Sequence, residues 1–127
     1  MTGRTPLMNP TKLELAAIRA CVAEACLPGV SPDLDGLRVA ERNYTGYGFF
    51  AAIDPDSSPM IFPEQLKDAN LSPLVATAFH PEMPGTISFM VWLKNCRIEL
   101  LEGASSVAWP ADETLIEFGP RGPKSRS

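Results

Sequence analysis

The stretch Thr86-Ile-Ser-Phe-Met-Val-Trp-Leu-Lys-Asn-Cys-Arg-Ile-Glu-Leu-Leu-Glu102 predicts a β-hairpin. Apolar residues alternate along its first arm, which is typical of a strand buried on one face. Asn95-Cys96 fits a two-residue turn, since asparagine tolerates a left-handed backbone. Such a turn pairs Leu93 with Ile98. It also predicts the pairs Val91–Leu100, Trp92–Glu99 and Met90–Leu101.

Residues 11–26 predict one helix. Thr11-Lys-Leu-Glu14 fits a capping box, in which the hydroxyl and the carboxylate satisfy opposite backbone N–H groups of the first turn. Apolar residues then recur at helical spacing, and Leu27-Pro28-Gly29 ends the run. We expect the apolar stripe of this helix to lie across a sheet.

The rest of the chain predicts further strands separated by prolines and glycines. Strands are expected at Leu37–Glu41, Phe49–Ile53, Leu74–Phe79 and Thr114–Phe118, with an interruption and bend at 42–48 and a short helical turn at 64–69. The fold class is therefore α+β, an antiparallel sheet of about five strands with the N-terminal helix packed on one face. We expect a single domain over 9–119, with flexible tails at 1–8 and 120–127.

Charge is distributed unevenly along the chain. The full sequence has a formal charge of −4, but residues 11–119 hold seven basic and fifteen acidic side chains, a net charge of −8. An acidic body repels a phosphate backbone, so nucleic-acid binding is disfavoured. A basic protein partner is favoured, because opposite charge speeds the encounter of two proteins.

Compartment is predicted from what the sequence lacks. No apolar signal segment follows the N-terminal Met, and no apolar stretch approaches the roughly 20 residues of a membrane helix. Cys21, Cys26 and Cys96 form no metal-binding or disulfide pattern, so reduced, mostly buried thiols are expected. These features predict a cytoplasmic protein that does not associate with membranes.

Two local patterns carry a resemblance. They are Glu41-Arg-Asn-Tyr-Thr-Gly-Tyr-Gly-Phe-Phe50, and Leu100-Leu-Glu-Gly103 followed by Trp109-Pro110. Together they resemble a group of small bacterial proteins of unknown function, in which a Gly-Phe-Phe strand precedes a hairpin that ends in Leu-Glu-Gly and then a Trp-Pro. The resemblance covers residues 37–110 and implies a fold without implying an activity.

Catalytic and metal-binding patterns are weak. His80 is the only histidine and precedes a proline, which indicates a turn residue rather than a general base. The aspartate pairs near 33–35 and 54–56 lack the further ligands of a calcium loop. Glu41, Glu99 and Glu102 leave open a carboxylate pair that acts as acid and base. We predict no catalytic residue, no metal and no cofactor.

Aromatic residues near bends give the strongest site prediction, because tyrosine and tryptophan are enriched in binding hot spots. Charged neighbours would form the polar rim of such a patch. The predicted binding residues are Glu41, Arg42, Tyr44, Tyr47, Trp92, Glu99 and Trp109.

Three functions follow from these features, and they favour binding over catalysis. The first is a small acidic protein-binding domain, in its sharpest form an immunity or inhibitor protein that occludes a basic toxin. The second is a ligand-binding or carboxylate-dependent enzyme domain, with a pocket between helix and sheet. The third is a homodimer that pairs through strand 114–118 at the sheet edge.

Overall fold

The computed structural model describes residues 6–25, 34–57, 62, 64–71 and 78–118. These ranges contain one helix, α1 (Lys12–Ala25), and one antiparallel sheet of seven strands. The strands are β1 (Val39–Tyr44), β2 (Gly48–Ile53), β3 (Asn70–Leu71), β4 (Ala78–Phe79), β5 (Ile87–Lys94), β6 (Arg97–Ser105) and β7 (Glu117–Phe118). Their order is β1-β2-β6-β5-β4-β7, and β3 pairs with β5.

This architecture confirms the predicted α+β class with a helix packed on the sheet, where α1 contacts β5 and β3. The prediction of about five strands is too low. The strand that was not predicted is β3, which has only two residues and is too short to show an alternating pattern. The predicted strand Leu74–Phe79 is described only at its last two residues, and 72–77 lie outside the described residues.

The start of α1 has the predicted capping box. The Thr11 hydroxyl accepts a hydrogen bond from the Glu14 N–H (3.0 Å), and Glu14 Oε1 accepts one from the Thr11 N–H (2.9 Å). Ile18 and Val22 are fully buried, so the apolar stripe faces the sheet as predicted. The predicted end of the helix at Leu27-Pro28-Gly29 lies outside the described residues.

The hairpin of β5 and β6 turns at Asn95-Cys96, as predicted. Both residues have left-handed backbone, with φ of 52° and 67°, which is the geometry of a two-residue hairpin turn. The pairs Lys94–Arg97 and Leu93–Ile98 flank this turn.

Beyond these two pairs the predicted register is wrong. A β-bulge leaves Glu99 without a cross-strand partner, so Trp92 pairs with Leu100 rather than Glu99, and Val91 pairs with Leu101 rather than Leu100. The predicted pair Met90–Leu101 is likewise replaced by Met90–Glu102. The extra residue allows the fully buried side chains of Ile98 and Leu101, three residues apart, both to reach the core.

The predicted interruption at 42–48 is too long. Residues 42–44 belong to β1, and the chain turns at Gly46, where φ is 96°. Strand β1 shows no apolar alternation because two positions on its core side are Arg42 and Tyr44, which lie opposite Ala51 and Phe49 of β2. Both side chains have polar partners, described below.

The two edges of the sheet differ. Met8, in the segment predicted as an N-terminal tail, exchanges two backbone hydrogen bonds with Val39 of β1, each 2.8 Å long. At the other end of the strand order, β7 covers only Glu117–Phe118, and the first two residues of the predicted strand, Thr114 and Leu115, belong to the 3-10 turn Glu113–Leu115. Within the described ranges, no helix combines the length and the apolar character that crossing a bilayer requires.

Candidate functional site

The predicted site residues divide between two surfaces, because side chains alternate along each strand. Arg42 and Tyr44 of β1 lie on the helix side of the sheet, where Trp109 packs against the core. Glu41 and Trp92 lie on the opposite side. The single patch predicted from the sequence is therefore two surfaces.

On the helix side, Arg42 binds a buried carboxylate. Its Nε donates to Glu14 Oε2 (2.6 Å) and its Nη2 donates to Glu14 Oε1 (2.7 Å), while Glu14 is only 1% exposed. The Nη2 group also donates to the Asn9 carbonyl (3.3 Å). The hydrogen bond to Glu14, aided by its charge, raises the pKa of Arg42. This pair joins the first turn of α1 to the edge strand.

Next to the Arg42–Glu14 pair, the Glu113 carboxylate connects Tyr44 and Trp109, the two predicted aromatic residues on the helix side. Glu113 Oε2 accepts hydrogen bonds from the Tyr44 hydroxyl (3.0 Å) and from the Trp109 indole Nε1 (2.7 Å). Tyr44 is in β1, whereas Trp109 and Glu113 flank the loop that leads into the 3-10 turn Glu113–Leu115. Burial, followed by the hydrogen bond and charge of Glu113, raises the pKa of Tyr44.

Phe49 supports both aromatic side chains from the core. Its ring centroid lies 5.7 Å from that of Tyr44 and 5.4 Å from that of Trp109. Gly103 of β6 leaves room for this arrangement, because a Cβ there would meet Phe49 Cε1 at 2.7 Å and Phe89 Cε1 at 2.9 Å. The aromatic cluster therefore depends on a glycine in the neighbouring strand.

An open groove of about 540 Å³ lies over these groups. We call it the Glu113 groove, and its lining residues are Tyr44, Gly46, Trp109, Pro110, Ala111, Asp112, Glu113 and Thr114. Asp112 caps the 3-10 turn: hydrogen bonds from the Thr114 hydroxyl and N–H lower its pKa. The lining thus contains two aromatic rings, two carboxyl groups and no basic side chain.

A second groove of similar size shares Glu113 and Thr114 with the first. It runs along the first turns of α1, where Lys12, Leu13 and Ala16 form one wall and Ile116 and Phe118 form the other. It lies at the predicted place, between the helix and the sheet, but it contains none of the predicted site residues.

The opposite surface consists of two cross-strand rows, which we call the outer sheet face. The rows are Asn43–Phe50–Glu102–Met90 and Glu41–Ala52–Leu100–Trp92–Asn70. Their centre is apolar, and Phe50 is 38% exposed. The charged side chains in these two rows are Glu41 and Glu102, both acidic. The next cross-strand pair toward the hairpin turn, Lys94–Arg97, is basic, and Lys94 is on the same side of β5 as Trp92. Asn43 holds the Glu41 carboxylate in place through a hydrogen bond of 2.9 Å.

The remaining predicted residues, Tyr47 and Glu99, lie outside the Glu113 groove and outside the two cross-strand rows. Tyr47 is 61% exposed in the β1–β2 turn, and Glu99 is exposed at the bulge of β6. Glu41 is also exposed, so the structure does not bury Glu41 and Glu99 as a pair, while Glu102 is half-buried opposite Phe50. The Trp92 indole nitrogen is buried and has no hydrogen-bond partner among the described residues.

Both ring nitrogens of His80 lie within hydrogen-bonding distance of backbone groups. Its Nδ1 accepts a hydrogen bond from the Glu82 N–H (3.1 Å), and its Nε2 lies 3.2 Å from the Asp112 carbonyl oxygen. These contacts fit a ring that accepts at Nδ1 and donates from Nε2. No group of three or more potential metal ligands occurs in the part of the chain that the structure describes.

No family model matches this chain, and no curated protein or solved structure matches it either. The resemblance to small bacterial proteins described above therefore rests only on local sequence patterns such as Glu41–Phe50 and Trp109–Pro110. A function therefore has to be inferred from the two surfaces themselves.

Glu14 and Glu113 are the site residues that sequence reasoning missed. The sequence pattern around Glu14 predicts a helix cap, which does not explain why its carboxylate is buried. Glu113 has one signal in the sequence, its position four residues after Trp109. That spacing becomes meaningful only when the loop is known to fold back onto Tyr44.

Proposed function

We propose that this chain is a small acidic protein-binding domain that acts in the cytoplasm and binds a basic protein on its outer sheet face. The supporting observation is the composition of the two cross-strand rows, which combine an apolar centre with the carboxylates of Glu41 and Glu102. In its sharpest form the chain is an immunity or inhibitor protein that occludes a basic nuclease-like toxin.

The apolar centre would supply the contact area. Phe50, Leu100 and Trp92 lie in adjacent strands, and each is partly exposed. Aromatic and large apolar side chains of this kind dominate the energy of protein interfaces once water is excluded. A sheet face presents them on rigid strands, so little conformational entropy is lost when they bind.

The acidic charge would select the partner. Glu41 and Glu102 are in the rows themselves, and the surrounding body, residues 11–119, has a net charge of −8. Long-range attraction speeds the association of a basic protein and repels an acidic one. The same charge disfavours a nucleic acid as the partner.

The test is binding to a panel of purified nuclease domains whose pI lies above about 9, with cytochrome c as a basic protein that is not a nuclease. We expect at least one nuclease domain to bind, with an association rate that falls as salt is added. The double variant Glu41→Lys/Glu102→Lys should slow association severalfold. The matched control, Glu64→Lys/Glu82→Lys, changes the net charge equally away from this face.

Three results would overturn the proposal. The first is that no nuclease domain of the panel binds. The second is that the association rate does not change with salt concentration. The third is that the two double variants slow association equally. The third result would mean that net charge alone acts and that the outer sheet face is not the docking surface.

One observation favours the ligand-binding alternative as a second candidate. The Glu113 groove contains both Tyr44 and Trp109, two of the predicted site residues, in a concave setting. The homodimer alternative stays a prediction, which sedimentation at micromolar concentration tests.

A further inference from the structure

We propose that the Glu113 groove binds a small quaternary ammonium compound of the choline type. This inference rests on the ligand-binding candidate and identifies the chemical class of its ligand. It uses the opposite side of the sheet from the proposed protein-docking surface.

The first argument is the aromatic lining. Tyr44 and Trp109 both border the groove, and a methylated cation over the face of either ring is attracted by the negative potential of the π electrons. Tryptophan and tyrosine together are the side chains that recognise quaternary ammonium groups in aromatic cages. Tyr44 is 55% exposed, so its ring is accessible to a ligand.

The second argument is the charge of the groove. Asp112 and Glu113 supply two carboxyl groups, and none of the described residues that line the groove is basic. Tyr44 and Trp109 both donate to Oε2 of Glu113, and no described residue donates to its other oxygen, Oε1. The nearby guanidinium of Arg42 is already paired with Glu14, so it compensates that carboxylate first.

The third argument is preorganisation. Tyr44 and Trp109 donate to the same carboxylate oxygen and contact the same Phe49 ring, so their positions are coupled. The backbone N–H of Trp109 donates to the Gly46 carbonyl (2.8 Å), which fixes the loop to the β1–β2 turn. A site that is ordered before the ligand arrives loses less entropy on binding.

The fourth argument selects a methylated ammonium over a primary one. Pro110 and Ala111 complete the lining with apolar surface. A primary ammonium is strongly hydrated and needs hydrogen-bond acceptors for each N–H when it leaves water. A quaternary ammonium has no N–H, so apolar and aromatic surroundings suit it. The volume of about 540 Å³ falls within the range of small-molecule sites.

The test is titration of the full chain with choline, followed by the indole N–H signals in two-dimensional ¹H–¹⁵N NMR. The chain has two tryptophans. We expect the Trp109 signal to shift and the Trp92 signal, from the outer sheet face, to stay in place. Dimethylbutanol, the neutral carbon isostere of choline, and ethanolamine, which has a primary ammonium, should bind much more weakly.

Variants separate the contributions. Tyr44→Leu removes a ring and should weaken choline binding by about threefold to thirtyfold. Tyr44→Phe keeps the ring but loses the hydrogen bond to Glu113, so it should weaken binding less than Tyr44→Leu does. Glu113→Gln keeps a hydrogen-bond acceptor but removes the charge, so severalfold weaker binding is expected. The ¹H–¹⁵N spectrum of each variant shows whether it is folded.

The proposal is overturned if choline leaves the Trp109 signal in place, if the isostere or ethanolamine binds as well as choline, or if folded Tyr44→Leu and Glu113→Gln variants bind normally. The variant Glu41→Lys/Glu102→Lys should retain choline binding. Choline binding without any basic protein partner would overturn the docking proposal alone, and the reverse result would overturn only this one.

Discussion

Arg42 of β1 binds both carboxylate oxygens of Glu14, with Nε and Oε2 2.6 Å apart and Nη2 and Oε1 2.7 Å apart. The same Glu14 carboxylate also accepts the Thr11 N–H at the start of α1. A single buried side chain therefore caps the helix and attaches it to the edge strand. Tyr44, two residues after Arg42 on the same side of β1, lines the Glu113 groove.

Arg42→Ala is expected to lower the free energy of unfolding by roughly 3 kcal/mol, because it leaves the Glu14 carboxylate buried without its counter-charge. Urea denaturation at neutral pH measures the change. Arg19→Ala, which removes an exposed arginine from α1, is the matched control and should stay within about 0.5 kcal/mol of the parent chain. Similar losses in the two variants would contradict a special role for the Arg42–Glu14 pair.

Tyr44 should ionise at a higher pH than an ordinary tyrosine, because burial and the Glu113 carboxylate disfavour its phenolate. Tyr47→Phe leaves Tyr44 as the only tyrosine, so phenolate absorbance reports its titration directly. We expect a midpoint above 10.0, the ordinary value. Adding Glu113→Gln should move the midpoint down, and an unmoved midpoint would show that Glu113 does not act on Tyr44.

The raised pKa of Tyr44 also makes stability depend on pH. The unfolded chain loses this proton near the ordinary value, before the folded chain does. The stabilisation is therefore complete below that pH and is lost as the pH rises through the folded pKa. Tyr44→Phe should remove this part of the alkaline decline in unfolding free energy, as measured by denaturation at several pH values.

Cys96→Gly should stabilise the hairpin by about 0.5–1 kcal/mol, because Cys96 has φ of 67°, which a residue with a Cβ adopts at a cost. The backbone bonds from Cys96 N–H to the Lys67 carbonyl and from Phe62 N–H to the Cys96 carbonyl remain possible. Cys96→Ala is the control, since it removes the sulfur and keeps the Cβ. Equal stabilities of the two variants would show that the backbone cost is negligible.

Gly103→Ala should destabilise the fold by roughly 1–3 kcal/mol, since the new methyl group would overlap the Phe49 and Phe89 rings. The displaced Phe49 ring should also disturb Tyr44 and Trp109, which calorimetry combined with the Trp109 indole NMR signal would detect. Gly36→Ala is the control, because the nearest atom to its added Cβ lies 4.0 Å away. A neutral Gly103→Ala would mean that the rings have room to move.

Local chemistry made much of the fold predictable. The capping box Thr11/Glu14 and the turn Asn95-Cys96 depend on residues close in sequence, and both occur as predicted. The bulge at Glu99 was not predictable, because nothing in the order Ile98-Glu-Leu-Leu101 says which leucine turns inward. In the structure Leu101 pairs with Ala51 of β2 and is fully buried, whereas Leu100 faces the outer side of the sheet.

The sequence by itself determined the fold class, the acidic charge and the kinds of side chain available for binding, because these follow from composition, periodicity and neighbouring residues. Only the tertiary structure decided which of those side chains meet. Tyr44 and Glu113 are 69 positions apart, and Arg42 and Glu14 are 28 apart. Contacts over such separations depend on strand register and loop path, which the whole core fixes together rather than any local pattern.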